Sequence, residues 1–132
     1  QSLAPNTAAG THISTNELLR AVKNLEYSTE VSLVCCKNMI KGESAGLLMH
    51  LIRTCDRSRD SQELLQTALV TLLNIARYDD LAYFVSRGDH SSIATIIDLL
   101  QMFRDKKGVF SVACELMCRI ISADENAKVR FS

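Results

Sequence analysis

Tryptophan is absent from this 132-residue sequence, proline occurs once and glycine five times. Few residues therefore interrupt helices, and the abundance of Leu, Ile and Ala is typical of an all-α chain. An excess of one charge is also missing, because 15 basic residues face 15 acidic ones. This balance argues against non-specific binding to nucleic acid or to an anionic membrane. No apolar run approaches the roughly 20 residues of a membrane span.

Cysteine and histidine are scattered rather than clustered in metal-binding motifs. The five cysteines lie in apolar runs, which predicts buried, reduced thiols at Cys35, Cys36, Cys55, Cys114 and Cys118. Without a Cys-x-x-Cys spacing or paired histidines, we expect no metal and no cofactor. His50 lies among apolar residues, and no phosphate-binding glycine loop is present. The sequence thus predicts a protein that is not an enzyme.

Apolar residues recur at three- and four-residue steps through most of the chain, which predicts helices. Residues 1–14 lack this period and are expected to be a flexible lead-in to a helical domain over 15–132. The predicted helices cover residues 17 or 18 to 27, 29–41, 44–55, 61–78, 79 or 80 to 85 and 109–122, and one more, capped by residue 91 or 92, reaches residue 103. Their apolar, inward-facing positions are expected to include Leu33, Cys36, Ile40, Leu47, Leu48, Leu51, Ile52, Cys55, Leu65, Ala68, Leu69, Leu72, Leu73, Ala76, Ile93, Ile96, Ile97, Leu100, Phe103, Phe110, Ala113, Cys114, Met117, Cys118 and Ile121. No segment alternates as a strand would.

A weak internal repeat follows from these helices. Aligning Asn38 with Asn74, and Asn74 with Arg119, superposes many of the flanking apolar positions. The two offsets are close to the period of about 40–47 residues of HEAT and armadillo units. The run 68–77 resembles the third helix of an armadillo repeat. We therefore expect an all-α, armadillo/HEAT-like helical stack of about two and a half repeats, belonging to a much larger protein.

Two segments, residues 68–78 and 96–106, resemble the carboxy-terminal armadillo-like region of the abnormal spindle family, which is associated with microcephaly. The resemblance implies a mitotic protein of the cytoplasm and cytoskeleton that concentrates at spindle poles, centrosomes and microtubule minus ends and focuses the poles. It implies spindle-pole or microtubule-associated protein partners. The family's calponin-homology and IQ motifs are expected before this chain. The run 100–104 departs from the IQ pattern, so calmodulin binding is not expected through this fragment.

A row of polar and charged side chains is predicted opposite the core stripes of the stacked helices, where an extended peptide could bind. The candidate groove positions are Glu30, Val34, Asn38, Lys41, Gln66, Val70, Asn74, Arg77, Ser111, Glu115, Arg119 and Ser122. The alternative is that these positions form only solvated helix faces. Val34, Val70 and Glu115 stand where nuclear-import armadillo proteins carry Trp, which argues against recognition of basic import signals.

Three functions remain open at this point. The first is a non-catalytic interaction module of a spindle-pole protein, and the second is a general armadillo or HEAT adaptor in cytoplasmic trafficking or signalling. The third is a structural self-association unit, which exposed Tyr83 and Phe84 would favour. Two basic clusters, around Arg57 and Lys106, could contact tubulin, although neighbouring aspartates and helix dipoles offer a simpler explanation for them.

Overall fold

A computed structural model describes residues 14–42, 44–56, 58–87 and 92–131. The predicted lead-in, apart from Ser14, lies outside the described residues. Within the described part the chain forms seven helices and no strand: α1 (Thr15–Val31), α2 (Leu33–Lys41), α3 (Ser44–Thr54), α4 (Arg59–Ala76), α5 (Asp79–Arg87), α6 (Ser92–Met102) and α7 (Lys107–Phe131). The all-α prediction is therefore confirmed.

Helix α4 is the centre of the fold. It packs against α1 on one side and α7 on the other, and it also contacts α2, α3 and α5. Its buried residues are Leu64, Leu65, Thr67, Ala68, Leu69, Thr71, Leu72, Ile75 and Ala76. These buried residues occupy more of the helix circumference than the single apolar stripe of a surface helix, because other helices pack against α4 on more than one side. Helices α1, α4 and α7 thus form one row, which we call the central layer.

The break between α1 and α2 was predicted in the wrong place. The sequence pattern indicated a first helix ending near Tyr27 and a second one beginning at Thr29, whereas α1 continues to Val31. Thr29 is fully buried and its hydroxyl donates to the Leu25 carbonyl, as in a helix interior. Ser32 makes the break instead: its backbone is extended, and its side chain accepts a hydrogen bond from the Cys35 N–H.

Helix α7 turns to the core a face that overlaps only in part with the predicted one, because Ala113 is buried as predicted and other predicted positions are exposed. Its buried residues include Val109, Ala113, Leu116, Ile120 and Ala123. Among the residues predicted to face inward, Cys118 is exposed and Ile121 is 48% exposed. The sequence of α7 contains two overlapping apolar stripes, and contacts with α4, α5 and α6 select one of them. Helix α7 also extends far beyond the predicted end at Ser122.

Other predicted inward positions were wrong for the same reason. Leu47 is 70% exposed and Leu33 is 39% exposed, and on α6 both Ile93 and Ile97 are more than two-fifths exposed. The predicted Leu48 and Ile96 are buried, and they are joined in the core by Met49 and Leu99, which were not predicted. Phe103, in the turn after α6, is fully buried.

Candidate functional site

The candidate site lies on the central layer and is best described from the stripe on α4. Gln66 and Arg77 are exposed on this stripe, while Val70 and Asn74 are half-buried. The stripe therefore runs from an open surface at Gln66 to a set of polar contacts near the end of α4. These contacts, made by Asn74 and Arg77, join α4 to α1.

Asn74 binds the last turns of α1. Its Nδ2 donates to the Glu26 carbonyl at 3.0 Å and to the Thr29 hydroxyl at 3.2 Å. The Thr29 hydroxyl in turn donates to the Leu25 carbonyl at 2.7 Å. Because Thr29 is fully buried, the two bonds of its hydroxyl satisfy a polar group that is removed from water. Asn74 is thus a structural contact between α1 and α4.

Arg77 reaches the same end of α1. Its Nη2 donates to the Thr29 carbonyl at 3.1 Å and also to the Glu30 carbonyl. Its guanidinium lies 5.0 Å from the centroid of the Tyr78 ring, and Nη2 contacts the Tyr78 hydroxyl at 3.1 Å. Helix α1 has no basic residue in its own last turn. Arg77 therefore supplies the positive charge that a helix C-terminus favours.

Arg119, on α7, binds the carbonyl groups at the end of α4 in the same way as Arg77 binds those at the end of α1. Its Nε and Nη2 donate to the Ala76 carbonyl at 3.2 and 3.0 Å, and Nη2 also donates to the Arg77 carbonyl at 2.8 Å. A 3.2 Å ion pair with Asp79 holds the guanidinium in place. Helix α4 likewise has no basic residue in its own last turn. Each C-terminus is thus capped by a side chain from the next helix of the central layer.

The predicted positions around Asn38 do not continue this row in the same way. Val34 is 66% exposed, and Asn38 and Lys41 are also exposed on α2. Helix α4 makes its most extensive contact with α1, so α1 and not α2 stands beside it as the neighbouring helix of the layer. Glu30 is exposed on α1, and its carbonyl accepts from Arg77. The alignment of Asn38 with Asn74 therefore does not correspond to a shared structural position.

Two open cavities flank the carbonyl contacts. The larger, about 700 Å³, lies where α2, α4, α5 and α7 meet, and we call it the junction cavity; its lining residues are Leu33, Lys37, Arg77, Tyr78, Asp79, Asp80, Leu81 and Arg119. The smaller, about 300 Å³, lies between α1 and α4 and is lined by Lys23, Glu26, Glu63, Gln66, Thr67 and Val70. The central layer therefore offers concave surface at two places along the α4 stripe.

An ion pair borders the smaller cavity. Lys23 Nζ lies 2.8 Å from Glu63 Oε2, with both side chains about half exposed. The hydrogen bond to Glu63 and the charge of that carboxylate raise the pKa of Lys23 above its ordinary value. Both side chains remain accessible to solvent, so screening limits what this pair adds to stability.

Helix α7 supplies the other edge of the α4 stripe. Gly108 allows a close approach, since a Cβ there would lie 2.9 Å from Gln66 Oε1. Glu115 and Ser122 are exposed, and the Ser111 hydroxyl donates to the Lys107 carbonyl of its own helix at 2.8 Å. Gln66 and Glu115 are thus exposed on neighbouring helices of the central layer.

Sequence similarity to curated proteins covers most of the chain. Over 119 residues it is 34% identical to the abnormal spindle-like microcephaly-associated protein homolog of Canis lupus familiaris, 32% to that of Felis catus and 30% to that of Mus musculus. Each match covers 83% of this chain. The chain belongs to the abnormal spindle family. It spans only 3% to 4% of the length of these relatives.

The resemblance expected from residues 68–78 and 96–106 is thereby confirmed at the level of the abnormal spindle family. The first segment forms most of α4 with the two residues after it, and the second forms α6 with the following turn. No established family profile matches the sequence, and no solved structure matches it. These comparisons indicate no catalytic family.

The thiols of this abnormal spindle segment are not all buried, contrary to the sequence prediction. Cys36 is fully buried, three others are half-buried, and Cys118 is exposed. Burial raises the pKa of Cys36, whose Sγ contacts the Thr29 carbonyl at 3.2 Å, and burial also raises the pKa of Cys55. A raised pKa lowers the thiolate fraction, so neither environment activates a nucleophile.

Other chemistry has little support in the part of the chain that the structure describes. No group of three His, Cys, Asp or Glu side chains is placed to hold a metal ion among these residues. Nor does any helix of the described ranges have the length and apolarity needed to cross a membrane. His50 is exposed on α3.

The residues of the two predicted basic clusters differ in their contacts and exposure. Arg53 Nε donates to the Thr95 hydroxyl at 3.2 Å, while Arg57 lies outside the described residues. Lys106 is exposed in the turn between α6 and α7.

Phe84 is 52% exposed and packs edge-on against the half-buried Tyr83, with ring centroids 5.6 Å apart.

Two important residues were missed by the sequence analysis. Thr29 connects three helices, because its hydroxyl and carbonyl together contact Asn74, Arg77 and Cys36. Lys37 was assigned to no surface, yet it lines the junction cavity. No periodicity singles out Thr29, since its role depends on residues 45 and 48 positions away in the sequence.

Proposed function

We propose that this chain is a non-catalytic protein-interaction module of a spindle-associated protein, and that the central layer binds the partner. The family relationship carries the cellular part of this proposal, because the relatives are named abnormal spindle-like proteins. On that basis we place the module in the cytoskeleton at the spindle pole, with spindle-pole or microtubule-associated proteins as partners. We further propose an armadillo/HEAT-like arrangement of repeats, which the row of α1, α4 and α7 supports.

The proposed binding mode divides the stripe residues into two groups. Asn74, Arg77 and Arg119 fix the spacing of the central helices through carbonyl contacts. Gln66 and Glu115 are exposed and are therefore the side chains that we expect a partner to contact first. A partner peptide lying across α4 would cover the half-buried Val70, which lies between Gln66 and Asn74 on the stripe. Rigid helices would then present the contact groups at little cost in conformational entropy.

The test is affinity capture from mitotic-cell extract followed by mass spectrometry. The variant Gln66→Ala/Glu115→Ala removes one amide and one carboxylate from the central layer. The control Gln101→Ala/Asp98→Ala removes the same groups from exposed positions on α6, which is outside that layer. We expect the unaltered chain and the control to retain a common set of spindle proteins and the variant to lose it.

Two results would count against the proposal. Retention of the same spindle proteins by both variants would exclude the central layer as the binding surface, and capture of no spindle protein would contradict the spindle assignment. Circular dichroism of all three chains checks that they have equal helicity. Asn74→Ala/Arg119→Ala is unsuitable here, since both residues hold helices together.

A general adaptor and a self-association unit are the alternative functions. Phe84 favours self-association, because a half-exposed aromatic ring is often covered in a dimer. Mass measurement in solution separates these possibilities: we expect a monomer, whereas a dimer that is broken by Phe84→Ala would favour the self-association unit. Co-sedimentation with microtubules measures direct tubulin contact independently.

A further inference from the structure

We propose that the junction cavity binds an acidic side chain of the partner together with an adjacent apolar side chain. This inference rests on the proposed function, because it assigns the chemistry of the partner segment that reaches the end of the α4 stripe. The cavity lies where four helices meet, and its volume of about 700 Å³ is in the range of ligand pockets.

The charges around the cavity favour an acidic ligand. Lys37, Arg77 and Arg119 contribute three positive charges, against two negative charges from Asp79 and Asp80. Asp79 forms an ion pair with Arg119 at 3.2 Å, so part of the negative charge is already compensated. Within the described residues, the Lys37 ammonium has no ion pair of this kind, and its side chain is exposed at the cavity edge. Lys37 is therefore the cation best placed to meet a carboxylate.

Arg77 adds directional donors next to Lys37. Among the described contacts, the bonds of its guanidinium to α1 and to the Tyr78 hydroxyl use Nη2, which leaves the N–H groups of Nε and Nη1 for a ligand. Guanidinium N–H groups bind carboxylates with well-defined geometry. The carbonyl contacts hold Arg77 before a ligand arrives, so less side-chain freedom is lost on binding.

The apolar part of the site comes from two leucines and a tyrosine. Leu33 is 39% exposed at the start of α2, and Leu81 lies beneath the cavity at 8% exposure. Tyr78 is half-buried between α4 and α5. These side chains would pack against an aliphatic residue of the partner next to its acidic residue. The arrangement matches protein interfaces in which a hydrophobic contact is bordered by charged residues.

The probes are two amidated, N-acetylated pentapeptides, Ala-Ala-Glu-Leu-Ala and Ala-Ala-Gln-Leu-Ala, titrated into the ¹⁵N-labelled full chain. Amide resonances of Lys37, Tyr78 and Leu81 report binding at the cavity. We expect saturable shifts there with the Glu peptide, at least about threefold weaker binding of the Gln peptide, and loss of the difference as salt is raised. Equal binding of both peptides, or shifts confined to other residues, would overturn the proposal.

The second measurement compares how removal of one lysine charge inside the cavity and one outside it changes binding of the Glu peptide. Lys37→Gln should weaken binding of the Glu peptide by about threefold or more, while Lys41→Gln, one turn along α2 and outside the cavity lining, should leave it unchanged. Equal effects of the two substitutions would reject a specific site. If the peptides fail while spindle-protein capture depends on Gln66 and Glu115, the proposed function stands and only the acidic-ligand assignment is wrong.

Discussion

Arg77 and Arg119 have equivalent roles on successive helices of the central layer. Arg77 extends from the end of α4 to the Thr29 and Glu30 carbonyls at the end of α1, and Arg119 extends from α7 to the Ala76 carbonyl at the end of α4. A helix end leaves such carbonyls without partners inside the helix. The two side chains therefore couple the position of each central helix to the termination of the preceding one.

The contribution of Arg119 can be measured by replacing it. Arg119→Ala removes donors to two carbonyls, and we expect the free energy of unfolding to fall by about 1–3 kcal/mol. Arg119→Lys should recover part of this loss, because an ammonium keeps the charge without the planar fork of donors. Urea denaturation provides the measurement. Arg104→Ala, at an exposed position, serves as control, and an equal loss in both would contradict the structural role.

Thr29 and Asn74 should be energetically coupled. Thr29→Val preserves the shape of the side chain but removes the hydroxyl that accepts from Asn74, and we expect it to cost about 1–2 kcal/mol. Asn74→Ala should cost a similar amount. Because both substitutions remove the same bond, the double variant should lose less than the sum by about 0.5–1 kcal/mol. Simple additivity in urea denaturation would show that the bond contributes little.

The five thiols should differ in their rates of chemical modification. Cys118 is exposed, whereas Cys36 is fully buried and its pKa is raised by that burial. Since the thiolate is the reactive form, we expect an aromatic disulfide reagent to modify Cys118 first and Cys36 last. Single-cysteine variants followed by absorbance give the order, and denaturant should abolish the difference. Rapid native-state modification of Cys36 would mean that its environment is open.

Two glycines should respond differently to alanine. Gly46 is exposed in α3 with open space around its Cβ position, so Gly46→Ala should raise the free energy of unfolding by about 0.5–1 kcal/mol. At Gly108 the new Cβ would meet the end of the Gln66 side chain, which must move. We expect a smaller gain or none for Gly108→Ala. A larger gain at Gly108 than at Gly46 would show that Gln66 is not packed there.

The sequence was most informative where one pattern had one interpretation. Leu65, Leu69 and Leu72 mark α4 by their spacing, and the structure buries all three. On α7 two apolar stripes compete, and only contacts with other helices determine that Leu116 is buried and Cys118 is exposed. Periodicity records the spacing within a helix, whereas the choice of face depends on its neighbours.

The candidate site was predictable only in part. The stripe Gln66, Val70, Asn74 and Arg77 follows from helical geometry, and the structure places it on the central layer. The division of that stripe into exposed and structural residues could not be predicted, because the Asn74 bond spans 48 positions in the sequence. A polar side chain opposite a core stripe can face solvent or a neighbouring helix end, and composition does not distinguish them.

The most direct measurement is the ratio of spindle-pole to cytoplasmic fluorescence in dividing cells that express the chain fused to a fluorescent protein. We expect the unaltered chain and the Gln101→Ala/Asp98→Ala control to concentrate at the poles, and Gln66→Ala/Glu115→Ala to be distributed evenly at equal expression. Equal pole enrichment of all three chains would contradict partner binding by the central layer, and enrichment of none would contradict the spindle assignment of this module.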